Sequence, residues 1–254
     1  MNQVSDVLRA LVSPKWRWVT VAVLLIMAGL ARLGFWQLDR LEERRVENAA
    51  LLAVLTSEIV DVNTAVFPTL DDISTDAASF KDRQAIVKGR FDFSQQGLIK
   101  LQTWRGQPGV YLIAPLVLED GKTAVLVNRG WIPEAEREDL AQFDEVGEIV
   151  VEGYLALTQT LSRGGGETAV TALEWFRVDI AQIQQSLSYE LLPVYLIQAP
   201  RETLQTTPPF RLEQNIDLSE GPHLSYAIQW FIFSLIGGVG YLVVVRRSLQ
   251  QDTD

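Results

Sequence analysis

The chain has 254 residues and a mass of 28.5 kDa, the size of one domain with attachments. Acidic residues number 32 against 22 basic ones, for a net charge of -10, which argues against nucleic acid as a partner. Cysteine is absent, so disulfides, thiolate zinc sites, iron–sulfur clusters and cysteine nucleophiles are excluded together, and with 1 His and 2 Met a metal centre built by this chain alone would rest almost entirely on carboxylates.

In chain order, residues 1–15 read as a short N-terminal segment carrying Arg9 and Lys15. From Trp16 to Leu38 the chain turns apolar, with no charge between Val19 and Ala31. That core is shorter than the ~20 residues a membrane-crossing helix needs, but Arg17 and Arg32 can reach toward the headgroups, and Trp16, Trp18 and Trp36 suit the interfaces. A first transmembrane helix is predicted over 16–38. It continues as helix to about residue 55, because Leu33, Trp36, Leu38 and Leu41 carry the apolar face onward. A cleaved signal peptide is the rival reading, given the charged start and the Gly29-Leu30-Ala31 sequence.

Residues 56–222 are predicted to form an extracytoplasmic α+β domain, a mainly antiparallel sheet or small open barrel. Strand-like runs cover Gln84 to Phe91, Leu98 to Trp104, Val110 to Leu118, Thr123 to Trp131, Ile149 to Leu157, Trp175 to Asp179 and Val194 to Gln198. Glu119-Asp120-Gly121 predicts a tight hairpin, since Asp-Gly supplies the positive φ such turns need. Short helices are expected from Glu134 to Gln142, behind Pro133, and from Ile180 to Leu187, with Asp179 as N-cap. The stretches Asn63 to Ser79 and Leu161 to Thr168 read as loops. Gly164-Gly165-Gly166 in the second lacks the Lys and the strand-then-helix context of a phosphate cradle.

Leu224 to Val245 runs 22 residues without a charge and stops at Arg246-Arg247, which places a second transmembrane helix over 223–245 and a cytoplasmic C-terminus at 246–254. Two spans put the N-terminus on the same side. Residues 46–222 then hold 13 Lys+Arg against 26 Asp+Glu, so most of the negative charge lies outside. The expected localisation is a two-pass membrane protein with both termini cytoplasmic and its main domain external, in contact with membrane lipid.

His223, the only imidazole, stands at the head of the second span, with Tyr226, Ala227 and Trp230 on its helical face. Two readings remain open. The ring can serve amphipathically at the interface, or it can offer a single axial ligand to haem iron while the macrocycle rests among the aromatics. Met27 lies roughly 15 Å deeper by helical rise, too deep to pair with it. At matching depth the first span presents Arg32, Trp36 and Arg40 four apart, with Gln37 beside them; an arginine there can snorkel or meet an anionic group such as a propionate. Gly29, Gly34, Ser234, Gly237, Gly238 and Gly240 are small enough to let the two helices approach. No Gly-x-Ser-x-Gly elbow is present, and Glu134 with Glu138 reads as a solvated helix face, so enzymatic turnover is not expected.

Four motifs occur in order: LGFWQLDRLEERR (Leu33 to Arg45), GQPGVYLIAPL followed by VLVNRGWIP (Val125 to Pro133), VEGYL (Val151 to Leu155) and HLSYAIQWF. With the two-span layout this set resembles the surfeit locus protein one family, assembly factors for haem-copper cytochrome c oxidase. The resemblance implies a protein that binds haem a transiently and helps place it in the oxidase catalytic subunit, with haem a synthase as a further partner. It implies His223 as the axial ligand to the haem iron and maps the WQLxR element onto Trp36, Gln37, Leu38 and Arg40. The cofactor-binding set is therefore His223, Trp36, Arg40, Tyr226 and Trp230. Arg129, Gly130 and Trp131 match an RGW element. Gly221-Pro222 departs from the asparagines that relatives commonly carry before the His. The N-terminus MNQVSDVLRALVSPK lacks the Arg- and Ser-rich character of a mitochondrial presequence, so a bacterial plasma membrane is expected. A cofactor-free scaffold holding oxidase subunits or haem a synthase together is the alternative.

Overall fold

The computed structural model describes residues 3–70, 77–159, 173–201 and 205–251. The chain divides into two compact units, one made of residues 1–52 and 217–254 and the other of residues 53–216.

The first unit is helical. A short helix α1 (Gln3–Leu11) ends where Pro14 cannot continue it, and the turn is tied by Ser13 Oγ donating to the Ala10 carbonyl at 2.7 Å. Helix α2 (Arg17–Leu55) runs 39 residues without a break, and a helix near the C-terminus, His223–Gln251, runs 29; each is long and apolar enough to cross a membrane. This second long helix is α4, α3 being a short helix of the other unit.

Helices α2 and α4 meet through small residues and polar contacts. A side chain at Gly34 would meet the Phe231 ring at 2.6 Å, and one at Gly238 would meet the Met27 methyl at 2.6 Å. Ser234 Oγ donates to the Met27 carbonyl at 3.1 Å. Nothing lies within 4 Å of a Cβ built at Gly29, Gly237 or Gly240, so half of the expected small-residue seam faces away from the partner helix. Tyr241 and Thr20 share a 2.6 Å hydroxyl contact near the other end, where Trp16 packs edge-on against Tyr241.

The second unit is a β-barrel. Its strands are β1 (Val60–Asp61), β2 (Gln84–Phe91), β3 (Gly97–Trp104), β4 (Gln107–Val117), β5 (Thr123–Pro133), β6 (Glu148–Leu157), β7 (Glu174–Trp175) and β8 (Glu190–Gln198), with α3 (Ile180–Gln184) between the last two. The order β2-β6-β8-β5-β4 closes on itself, because β2 also pairs antiparallel with β4 through Arg90–Val117 and Phe91–Leu116. The open barrel expected from sequence is thus closed, and the closure removes the unpaired edges that an open sheet would expose. Most pairs are antiparallel, while β5–β8, β1–β2 and β3–β7 are parallel.

Alternation along the strands sorts the core into two layers. Val125 and Val127 of β5 point into the barrel with Val87, Leu116, Val151 and Leu196. Their neighbours Ala124 and Leu126 face outward, where Ile113, Trp175, Ile180 and Ile183 cover them. β5 is therefore buried on both faces from Ala124 to Ile132, which is why Ala124 to Val127 is apolar at every position. At the β4–β5 hairpin Gly121 adopts φ +65°, and the Asp120 carboxylate accepts from the backbone N–H of Lys122 and Thr123, each at 2.9 Å. Those bonds, the Thr123 backbone bond first, hold the Asp120 carboxyl below the usual range.

Two sequence expectations fail here. Glu134 to Gln142 is no helix: a three-residue turn at Glu134–Glu136 is followed by a separate turn at Leu140–Phe143. Asp139 between them has φ -120° and ψ 74°, which breaks the helical run. The strand expected from Trp175 to Asp179 stops at Trp175, because Val178 N–H turns to the Gln159 side chain at 3.3 Å and Asp179 caps α3 by accepting from Gln182 N–H at 3.2 Å. The glycine triplet lies outside the described residues, as does part of the Asn63–Ser79 loop.

Barrel tyrosines set an alkaline limit on this unit. Burial, with smaller contributions from neighbouring groups, pushes Tyr154 and Tyr195 each up to about 12 from the ordinary 10.0. Their native forms hold protons that the unfolded chain releases near pH 10.0, so their contribution is complete below that value and is lost as pH rises toward about 12. The denaturation midpoint of the full chain is expected to hold up to the ordinary tyrosine range and fall beyond it. Tyr195→Phe should flatten that fall; an equal fall in the variant would refute the assignment.

Candidate functional site

His223 opens α4, immediately after Pro222, whose carbonyl accepts from Tyr226 N–H at 3.1 Å and from Ser225 Oγ at 2.7 Å. Proline suits this position, since it has no N–H to leave unpaired and its φ is already helical. The ring of His223 is half-buried, and its Nδ1 lies 2.9 Å from Gln37 Oε1 on α2. The imidazole edge bearing Nε2 lies next to Gly221: a Cβ there would sit 3.6 Å from Nε2 and 3.5 Å from Cδ2.

The segment leading into His223 is held by one face of α2. Asn48 donates to the Leu218 carbonyl at 2.7 Å, Arg44 Nε to the Ser219 carbonyl at 3.2 Å, and Arg45 grips the Glu220 carboxylate with two bonds of 2.8 and 3.0 Å. Gln37, Leu41, Arg44 and Asn48 recur at helical spacing, and Leu41 between them is buried at 4% exposure. These residues supply the grip on the His-bearing segment.

Arg32, Trp36 and Arg40, named from the sequence, lie on the neighbouring stripe of α2. Arg40 does not turn toward this face; its guanidinium bonds Glu43 on its own helix and stays exposed. Trp36 and Tyr226 are also exposed, at 47% and 46%, while Ala227 below the His is fully buried. Trp230 packs edge-on against Phe233 of α4, with ring centroids 6.1 Å apart. Gln37 was named from the sequence but Arg44 and Asn48 were not, and their signal was the recurrence of polar side chains at 37, 44 and 48 around an apolar 41. It differs from the 32, 36, 40 stripe by one position and so by about 100° around the helix.

The barrel carries its own polar centre. Arg129 is buried at 1% exposure, with its guanidinium 4.8 Å from the ring centres of both Phe91 and Phe93. It donates to Gln96 Oε1 at 2.6 Å and to the Phe143 carbonyl, and it pairs with Glu145 at 3.5 Å. Glu145 is shared with Arg211 at 3.2 Å. Burial pulls both arginines below their ordinary range, and Glu145 partly restores them. The bonds this cluster makes all lie within the domain, whereas the buried Arg129 Nε has no hydrogen-bond partner among the described residues.

Among the described residues no group of three His, Asp or Glu could hold a metal ion. A haem brings four nitrogens of its own and asks one of the protein, and a lone half-buried imidazole with a side-chain-free neighbour fits that demand.

A family model described as the SURF1 family matches residues 24–235. A SURF1-like protein of Monosiga brevicollis is 29% identical over 250 residues, covering 91% of this chain and 87% of that protein. A SURF1-like protein of Rickettsia felis is 24% identical over 235 residues, covering 90% and 97%. Over 102 residues the chain is also 29% identical to the cytochrome oxidase assembly protein SHY1 of Saccharomyces cerevisiae, covering 40% of this chain and 25% of that one. The stretch matched by the family model holds α2 from its apolar part onward, the whole barrel and His223, and on that match the chain belongs to the SURF1 family, the surfeit locus protein one family of the sequence resemblance.

Proposed function

We propose that this protein is an assembly factor for haem-copper cytochrome c oxidase that holds haem a at the membrane surface through His223 and assists its insertion into the catalytic subunit. The assembly role is supported by family membership and by the name of the yeast relative, a cytochrome oxidase assembly protein. The haem reading is carried by one observation: the only imidazole of the chain stands at the end of an apolar helix, tied at Nδ1, with Nε2 beside a glycine. Tyr226, Trp36 and Trp230 would supply apolar walls, and Arg40 would be free to exchange Glu43 for a propionate. The protein acts by binding and handover rather than by turnover, with the catalytic subunit and haem a synthase as partners.

In this reading α2 and α4 cross the plasma membrane, with Arg246 and Arg247 on the cytoplasmic side and the acidic barrel outside. The exposed apolar rows of both helices then face lipid. Bound iron would contribute an electrophilic centre, and this chain contributes the ligand, its orientation and partial exclusion of water.

The test is a visible absorption spectrum of the full chain purified from membranes of cells making haem a, beside its His223→Ala variant. A haem a band in the first and its loss in the second are expected. Two colourless proteins would transfer the case to a cofactor-free scaffold, and pigment in both would remove His223 as ligand.

A further inference from the structure

A neutral imidazole carries one N–H and one bare lone pair, and only the bare nitrogen can bind a metal. Which nitrogen is bare is decided by what the other one meets. In His223 the partner of Nδ1 is the side-chain carbonyl oxygen of Gln37 at 2.9 Å, an atom that only accepts. The proton must then sit on Nδ1, and the lone pair on Nε2. In water the unaided imidazole prefers the opposite arrangement, with the proton on Nε2. We propose that Gln37 is a positioning residue that sets the tautomer of His223, so that Nε2 is presented as a metal ligand beside the open space left by Gly221.

Three further observations fit this assignment. The 2.9 Å contact depends on the height of His223 along α2, and Asn48, Arg44 and Arg45 fix that height through Leu218, Ser219 and Glu220. Gly221 has φ +67°, in the left-handed region that favours glycine, and a side chain there would come within 3.6 Å of Nε2. The glycine therefore serves both the turn and access to the nitrogen. Pro222 restricts the turn between them, so the Gly-Pro pair, unusual by resemblance, suits presentation of the ring.

The consequence for cofactor binding rests on the haem reading above, whereas the tautomer does not, and the experiment separates them. The chain has 1 His, so labelling histidine ring nitrogens with nitrogen-15 gives signals from His223 alone. The full chain in detergent micelles at pH about 8, above the ordinary imidazole range, is expected to show the proton on Nδ1 and a bare Nε2. Gln37→Leu should move the proton largely to Nε2, and Gln37→Glu, which keeps an acceptor, should leave it on Nδ1. With haem a supplied, Gln37→Leu should weaken binding by about 10- to 100-fold, the usual effect of losing such a partner, and Gln37→Glu should restore it. A proton on Nε2 in the unaltered chain, or the same tautomer in Gln37→Leu, overturns the assignment. Unchanged haem affinity in a Gln37→Leu variant whose tautomer has switched overturns its positioning role. If the unaltered chain shows the Nδ1 proton but takes up no haem a, the haem reading fails while the tautomer assignment stands.

Discussion

Replacing Arg129 with Ala is expected to lower the stability of the barrel by about 3 to 5 kcal/mol, from an emptied cavity and two buried acceptors left without a donor. The guanidinium is 1% exposed and packs against the neighbouring rings of Phe91 and Phe93, so its removal empties a space beside them. It also leaves Gln96 Oε1 and the Phe143 carbonyl without their donor. Each buried acceptor left unpaired costs about 1 to 3 kcal/mol. Glu145 is 31% exposed and keeps Arg211, so it is not stranded; Asp144 fares worse, because its buried Oδ1 has no hydrogen-bond partner and Arg129 is a nearby compensating charge. Arg129→Lys keeps the charge but not the planar stack or the fork, and should fall between. The check is the denaturant midpoint of the full chain in detergent, followed by near-ultraviolet circular dichroism of the barrel aromatics. An Ala midpoint equal to that of the unaltered chain would contradict the structural role.

The burial of this arginine marks the limit of what the sequence discloses. β2, β4, β5 and β6 were legible because their apolar residues alternate or run unbroken for strand length between turn signals, and Asp120-Gly121 announced its hairpin. The two long apolar helices were legible from uninterrupted hydropathy. What periodicity does not carry is register. On β5, Gly130 pairs with Leu112 and Asn128 with Ile113, so Arg129 between them is the extra residue of a bulge and its side chain is re-aimed. A strict alternation gives no warning of this, and RGW remained a motif without a mechanism. The closure of the barrel was hidden for a similar reason, since two residue pairs between β2 and β4 decide it and neither pair has a local signature. At the candidate site, His223 was legible as the only imidazole. That Gln37, already named beside the 32, 36, 40 stripe, is its partner was not, because the choice between adjacent helical stripes depends on which face α4 meets.

The second residue of the same motif gives the other large effect: Gly130→Ala should cost about 3 kcal/mol or more. Gly130 has φ +119°, where a side chain is strained whatever space surrounds it, at a cost of about 1 to 3 kcal/mol. Space is also lacking, for a Cβ would lie 2.6 Å from the Phe210 carbonyl oxygen. That oxygen accepts from Trp131 N–H at 2.8 Å, and Phe210 N–H returns a bond to the Trp131 carbonyl at 2.7 Å. Displacing the segment around Phe210 disturbs both bonds, each worth about 1 kcal/mol net, and the stack of Phe210 on Trp104, whose ring centres lie 4.3 Å apart. Gly106 is the internal control: it has φ +79° but nothing within 4 Å of an added Cβ, so Gly106→Ala carries the conformational cost alone, about 1 to 2 kcal/mol. The difference between the two variants, read as denaturant midpoints under one condition, carries the close approach of the Phe210 backbone on top of the difference between the two φ values. Equal midpoints would mean that φ alone accounts for the glycine. A larger loss at Gly130 would assign RGW a single structural purpose: Arg129 filling the bulge, Gly130 admitting the neighbouring backbone, and Trp131, fully buried, carrying the bridge to it.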